Sequence, residues 1–311
     1  MTPDSTSGRG EMGSQRPVRG GELTSRRVWW TGARPKTLGV AFAPVFVGTA
    51  AGALGTSIRW VHAIAALVVA LALQIGVNYA NDYSDGVRGT DKDRRGPVRL
   101  VASGLASPAA VRNAAAISFA VAALVGAALA LAVNPWLLIV GVAALVAATT
   151  YTGGPRPYGY LGLGEVMVLV FFGLVATLGS AYVQYRHLPA EAWWGALAVG
   201  LPACAILLAN NVRDVTSDGV AGKRTLAVRF GAPRARLLHT MCLAGALVAV
   251  VACGAWHPWA LIALASAPLA VAPARLVRTR HDPASLVAAL VGTVRFQLVL
   301  AALLATGLRI T

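Results

Sequence analysis

The residues best suited to do chemistry lie in two short polar stretches, each directly after a long apolar run. The first, residues 78–99, reads N-Y-A-N-D-Y-S-D-G-V-R-G-T-D-K-D-R-R-G-P-V-R. It holds four aspartates (Asp82, Asp85, Asp91, Asp93) and five cations (Arg88, Lys92, Arg94, Arg95, Arg99). The second, residues 210–229, reads N-N-V-R-D-V-T-S-D-G-V-A-G-K-R-T-L-A-V-R and carries Asp214 and Asp218. Both contain S-D-G-V-x-G, and together they hold six of the twelve acidic residues in the chain, so the carboxylates are concentrated where they can share one task.

Carboxylate oxygens are the ligands that hard divalent cations prefer, and Mg²⁺ commonly bridges one or two of them to substrate phosphates. Asp82 and Asp85 close the second apolar run. Asp214 and Asp218, four residues apart, share a face if the helix continues through them. Asn78, Asn81 and Asn210 are candidate substrate contacts, and Asn81 and Asn210 can also add neutral oxygen ligands or orient the carboxylates. Lys92, Lys223, Arg224 and the nearby arginines suit phosphate oxygens, arginine as a bidentate fork. Gly86, Gly89, Gly219 and Gly222 allow close backbone approach or positive φ. A solvated loop whose acids pair with neighbouring arginines accounts for one such stretch, but not for the same hexapeptide at two helix ends. The spacing is not that of a calcium-binding loop.

These stretches are set in a chain of 311 residues that is 57% hydrophobic and only 13% charged, a composition that points to the membrane. The net charge of +15 raises nucleic acid as a partner. The cations argue against it, because they sit in short segments between apolar runs and not along one face. Nine apolar runs can be traced, roughly 37–54, 61–80, 113–133, 135–151, 165–185, 192–209, 237–255, 259–277 and 286–308. Most approach the ~20 residues that a helix needs to cross the hydrocarbon core. They do not alternate, which argues against a transmembrane barrel. The expected fold is therefore an all-α integral membrane protein, its membrane domain covering 28–311. Residues 1–27, rich in Gly, Ser, Pro and Arg, are expected to form a disordered cytoplasmic tail.

Charge sets the orientation. With the N-terminus inside, seven cations precede residue 37, six lie in 82–112, one in 152–164, six in 210–236 and three in 275–285. Only Arg59, Arg186 and Arg309 fall on the other side, the asymmetry of the positive-inside rule. Both aspartate stretches are then cytoplasmic and the C-terminus is outside. Arg295 is the only charge well inside an apolar run, which points it toward a bundle interior or cavity. The three cysteines, all in apolar runs, show no metal-ligand spacing.

The pattern Asn81-Asp82-x-x-Asp85 followed by Asp91, with Asp214-x-x-x-Asp218, resembles the paired aspartate motifs of the UbiA-type intramembrane prenyltransferases. The stretches G-A-R-P-K-T-L (32–38), P-V-R-L-V-A-S-G (97–104), Y-T-G-G-P-R-P-Y-G-Y-L-G-L-G-E (151–165) and A-G-K-R-T-L-A-V-R (221–229) are similar to the branch of that superfamily that prenylates 1,4-dihydroxy-2-naphthoate. In one respect the chain departs from the general pattern: the last aspartate of N-D-x-x-D-x-x-x-D falls on Gly89, and the nearest acid is Asp91. The resemblance implies nine transmembrane helices around a central cavity opening at the cytoplasmic side. It implies two Mg²⁺ held by Asn81, Asp85, Asp214 and Asp218 on a polyprenyl diphosphate, with Asp82 and Asn210 in support. Lys92, Lys223 and Arg224 would stabilise the departing diphosphate, and a plasma-membrane location follows from the same likeness.

Further residues have two readings each. Tyr151 and Arg156 either anchor a rigid turn or face the aromatic acid, with Arg156 on its carboxylate. Glu165 opens a helix, where the dipole favours a carboxylate. Arg34 and Lys36 are either interfacial anchors or ligands for carboxylate or diphosphate. Rival acceptors within the superfamily are 4-hydroxybenzoate, haem, chlorin and sugar phosphates. A cation-coupled transporter is the rival from another class, but it would place its acids near the bilayer midplane and not at one face.

Overall fold

A computed structural model describes residues 25–90 and 98–310, and among these every regular element is a helix. The chain opens with α1 (Ser25–Ala33), passes a 3-10 turn at Pro35–Thr37 and enters α2 (Gly39–Gly52). Residues 25–27, expected in the tail, thus belong to α1; the rest of the tail, with Asp91 and Lys92, lies outside the described residues. Next come α3 (Trp60–Arg88), α4 (Pro108–Val133) and α5 (Leu137–Thr150), then a 3-10 turn at Tyr158–Leu161. The following apolar run is one rod in three parts: α6 (Gly164–Val168), a π-helical stretch at Leu169–Val175 and α7 (Ala176–Tyr185). The second half holds α8 (Ala190–Arg213), short α9 (Val215–Val220) and α10 (Leu226–Phe230), and α11 (Ala232–Gly254). A 3-10 stretch at Pro258–Ser266, α12 (Pro268–Thr279) and α13 (Pro283–Gly307) complete it.

Each of the nine apolar runs is helical, but they are not equal. Among the described residues six helices are long and apolar enough to cross a membrane, or seven if the bent pair Pro258–Ser266 and Pro268–Thr279 counts as one span. The 46° bend of that pair falls at Pro268, whose ring removes a backbone donor. The helices α2 and α5 have 14 residues each. At 1.5 Å per residue that is about 21 Å, short of the ~30 Å hydrocarbon core.

Close helix approach holds the bundle together. A Cβ at Gly48 would lie 2.2 Å from Thr177 O, and one at Gly52 would lie 2.2 Å from Ala181 O, so these glycines let α2 press backbone to backbone on α7. Gly200 of α8 meets Gly173 of the π-helical stretch in the same way. The helix α8, buried along most of its length, forms the centre against α2, α11 and α13. Arg295 does not face this interior. It lies exposed halfway along α13, because Val294, Phe296, Gln297 and Leu300 take the core side.

Candidate active site

The S-D-G-V-x-G repeat is a structural repeat as well. In each copy the helix ends on a glycine in the left-handed region, Gly89 at φ 73° and Gly222 at φ 74°. The residue after that glycine bonds back to the aspartate carbonyl: Thr90 N to Asp85 O at 3.1 Å, and Lys223 N to Asp218 O at 2.8 Å. The glycine itself bonds to the glycine three residues earlier, Gly89 N to Gly86 O and Gly222 N to Gly219 O, both at 3.2 Å. This double bond pattern is the Schellman cap, which needs a residue with no Cβ cost at positive φ. Asp85 and Asp218 therefore occupy the same place on two capped helix ends, with Asn81 and Asp214 four residues before them. The helix is interrupted at Asp214 (φ −96°), yet Asp218 N still bonds to Asp214 O at 2.8 Å.

The two ends meet through Lys223. Its Nζ lies 3.2 Å from Asp85 Oδ1 and 3.8 Å from Asp218 Oδ1. Tyr160, from the 3-10 turn after α5, donates its hydroxyl to Asp85 Oδ1 at 2.5 Å and places its ring 4.7 Å beneath the Lys223 ammonium. Arg99 approaches the other side of Asp85 at 3.7 Å. Arg224 N bonds to Tyr160 O at 2.8 Å, tying the turn to the second repeat. Burial, reinforced by the Asp85 charge, pushes the Tyr160 hydroxyl up, and burial pushes that of Tyr158 up to about 12. Burial also raises Tyr151, with the Glu165 charge adding to it. All three phenols remain protonated donors near neutral pH.

Below this cluster a cavity of about 530 Å³ runs between α2, α3, α4, α5 and the α6–α7 rod. Its polar end is lined by Arg34, Asn78, Asn81, Tyr151, Tyr158 and Asn210. From there it continues past apolar residues such as Val69, Leu145 and Phe171 toward Val183 at the far end of the bundle. Asn78 donates to Ala33 O at 2.9 Å, and Asn81 accepts from Thr152 Oγ1 at 2.7 Å. Arg34 stands at φ 55°, a left-handed backbone unusual for a side chain of this size, just before Pro35.

The remaining candidates either have partners of their own within the fold or lie outside the cavity. Both carboxylate oxygens of Asp82 are used inside the fold, accepting from Leu100 N at 2.9 Å and Val101 N at 3.0 Å. Asp214 pairs with Arg213 through two bonds of 2.7 Å. Lys36, Arg156 and Arg224 are exposed and do not line the cavity. Glu165 is buried and accepts from Asn211 Nδ2 at 2.8 Å, joining α6 to α8. The sequence reading missed Tyr160 and Asn211, whose partners become visible only when the turn after α5 folds back. Its place in the stretch Y-T-G-G-P-R-P-Y-G-Y-L-G-L-G-E (151–165) was the one available signal for Tyr160.

The donors at the two helix ends suit a hard cation. They are all oxygens, and two carboxylates already share one positively charged atom, Lys223 Nζ. Among the described residues no group of three or more His, Cys, Asp or Glu could by itself hold a metal ion. Such a partial shell is what Mg²⁺ completes with phosphate oxygens and water.

Comparison with known proteins agrees with this geometry. The model of the UbiA prenyltransferase family matches residues 41–306. A 1,4-dihydroxy-2-naphthoate octaprenyltransferase of Mycobacterium tuberculosis is 49% identical over 257 residues, covering 83% of this chain and 88% of the relative. One of the same name from Escherichia coli is 40% identical over 275 residues, covering 85% and 89%. Among solved structures, a UbiA homolog from Archaeoglobus fulgidus bound to DMAPP and Mg²⁺ aligns with a TM-score of 0.58 at 16% identity, covering 89% of this chain and 98% of that one. The chain is a multi-pass membrane protein that belongs to the UbiA prenyltransferase family.

Proposed function

We propose that the protein transfers a polyprenyl group from polyprenyl diphosphate to 1,4-dihydroxy-2-naphthoate, with loss of CO₂ and diphosphate, giving demethylmenaquinol, the reduced form of demethylmenaquinone. The observation that carries this reading is the meeting of Asp85 and Asp218, equivalent residues of two capped repeats, around one cation beside the polar end of a deep apolar cavity. The names of relatives at 49% and 40% identity support the naphthoate acceptor.

Mg²⁺, held by Asn81, Asp85, Asp214 and Asp218, would neutralise the diphosphate and favour its departure. The chain's own residues supply the rest. Lys223 and Arg99, already beside Asp85, offer cationic hydrogen bonds to the charge that develops on the leaving diphosphate as the allylic C–O bond breaks. Arg224 belongs to the same basic rim, and the family resemblance gives Lys92 the same task. The apolar cavity takes the polyprenyl chain and excludes water, which would otherwise trap the allylic cation. Arg34, between Asn78 and Tyr151 at the polar end, is the cation best placed for the carboxylate of the acceptor. The ring carbon bearing that carboxylate attacks the cation, and the carboxylate leaves as CO₂, its C–C bonding pair restoring the aromatic ring. Tyr151 and Asn210 then orient the acceptor, while Lys36 and Arg156 act at the rim.

In the membrane, α2 and α5 join the longer helices to make nine passes of a single domain. The cation asymmetry supports a cytoplasmic N-terminus and cavity mouth, an external C-terminus and a cell-membrane location. Asp85→Ala and Asp218→Ala are each expected to lower turnover by about 100-fold or more while leaving the protein folded. Near-normal activity in either variant would remove the shared site.

A further inference from the structure

We propose that Lys223 is a resident counter-ion: it keeps the paired aspartates closed to free divalent cations until the donor diphosphate draws its ammonium away. This inference rests on the reading of the aspartate pair as the metal and diphosphate site, and it adds an order of events.

The backbone of Lys223 is anchored to the helix end, and its side chain reaches across from there. Its N–H closes the Schellman cap on Asp218 O, so the residue is held one step beyond the left-handed Gly222. From that anchor the side chain spans both carboxylates, at 3.2 Å and 3.8 Å. The Tyr160 ring supports the ammonium from below, and the side chain is 12% exposed. The equivalent position of the other repeat holds Thr90, whose hydroxyl bonds at 3.2 Å to Asp85 O, and Arg99 reaches Asp85 at 3.7 Å. Lys223 is the residue that bridges both acid ends.

Its position has a clear electrostatic meaning. Two carboxylates brought together in a poorly solvated place repel each other, and an ammonium between them offsets that repulsion. The same ammonium repels an incoming divalent ion and must leave the oxygens that the ion would use. A diphosphate reverses the balance, since it offers the ammonium several anionic oxygens at once. The empty site thus takes up divalent cations poorly, and metal binding becomes dependent on the diphosphate.

The test uses the full chain in detergent, with Mn²⁺ as a spectroscopic substitute for Mg²⁺ and bound ion read by electron paramagnetic resonance. Wild-type protein should bind Mn²⁺ weakly alone and tightly with inorganic diphosphate. Lys223→Met should bind Mn²⁺ alone about tenfold more tightly than wild type, because one repelling charge is gone. Lys223→Arg should stay as weak as wild type. Adding Asp85→Asn to Lys223→Met should abolish the gain, which assigns the ion to this site. Equal Mn²⁺ affinity of wild type and Lys223→Met without diphosphate would overturn the inference alone, as would a gain that survives Asp85→Asn. No Mn²⁺ binding by wild type even with diphosphate would overturn the metal reading and the inference together.

Discussion

Asp82 and Asp85 lie three residues apart on one helix and serve different ends. Asp85 faces Tyr160, Lys223 and Arg99, whereas Asp82 turns back to cap the N–H groups of Leu100 and Val101. We expect Asp82→Ala to act chiefly on stability, by about 2–4 kcal/mol for two charge-assisted bonds, read as a lower melting temperature in detergent. A variant with unchanged melting but no activity would instead place Asp82 in the chemistry. Arg34 and Arg156 form a second contrast. Arg34 lines the cavity and Arg156 is exposed. Arg34→Ala should therefore raise the KM for the aromatic acid by about tenfold or more through loss of a charged contact, with a smaller change for the prenyl donor. Arg156→Ala should do less, and the reverse order would return the carboxylate to Arg156. The types and spacing of the acids were legible in the sequence; which oxygen faced backbone and which faced the site was not. Asp82 and Asp85 look alike in a motif, and only the return of residues 98–101 against α3 tells them apart.

At the scale of elements, the repeated S-D-G-V-x-G was the most informative stretch, because its last glycine demands positive φ and so fixes where each helix ends. Helix lengths were less legible. The apolar runs 37–54 and 135–151 look long enough to span, yet 3-10 geometry and turns consume part of each. The π-helical stretch at Leu169–Val175 leaves no mark in the pattern of apolar residues; within it Gly173 packs against Gly200. The α2–α7 contact carries a direct prediction. Gly52→Val would drive side-chain atoms into Ala181 backbone, which cannot yield, and should cost about 3 kcal/mol of stability. Gly141→Ala, where an added Cβ meets nothing within 4 Å, is the control and should melt no lower than wild type. Similar melting of the two variants would contradict the close packing.

For the whole molecule, a row of helices brings two distant aspartate ends to one face and leaves an apolar cavity beneath them. The three native cysteines are buried, so introduced thiols can report orientation. Ser57→Cys, exposed between α2 and α3, should react with an impermeant maleimide added to intact cells. Ala102→Cys, exposed near the aspartate end, should react only after permeabilisation. The opposite pattern would invert the proposed topology. The most direct measurement of the central claim uses purified protein in detergent with a labelled polyprenyl diphosphate, with and without Mg²⁺. Dihydroxynaphthoate and 4-hydroxybenzoate are offered separately, and lipid product and CO₂ are both counted. The account predicts Mg²⁺-dependent demethylmenaquinol, or the quinone formed from it in air, with one CO₂ per product, from dihydroxynaphthoate alone. Prenylated hydroxybenzoate without CO₂, or no product from either acceptor, would contradict it.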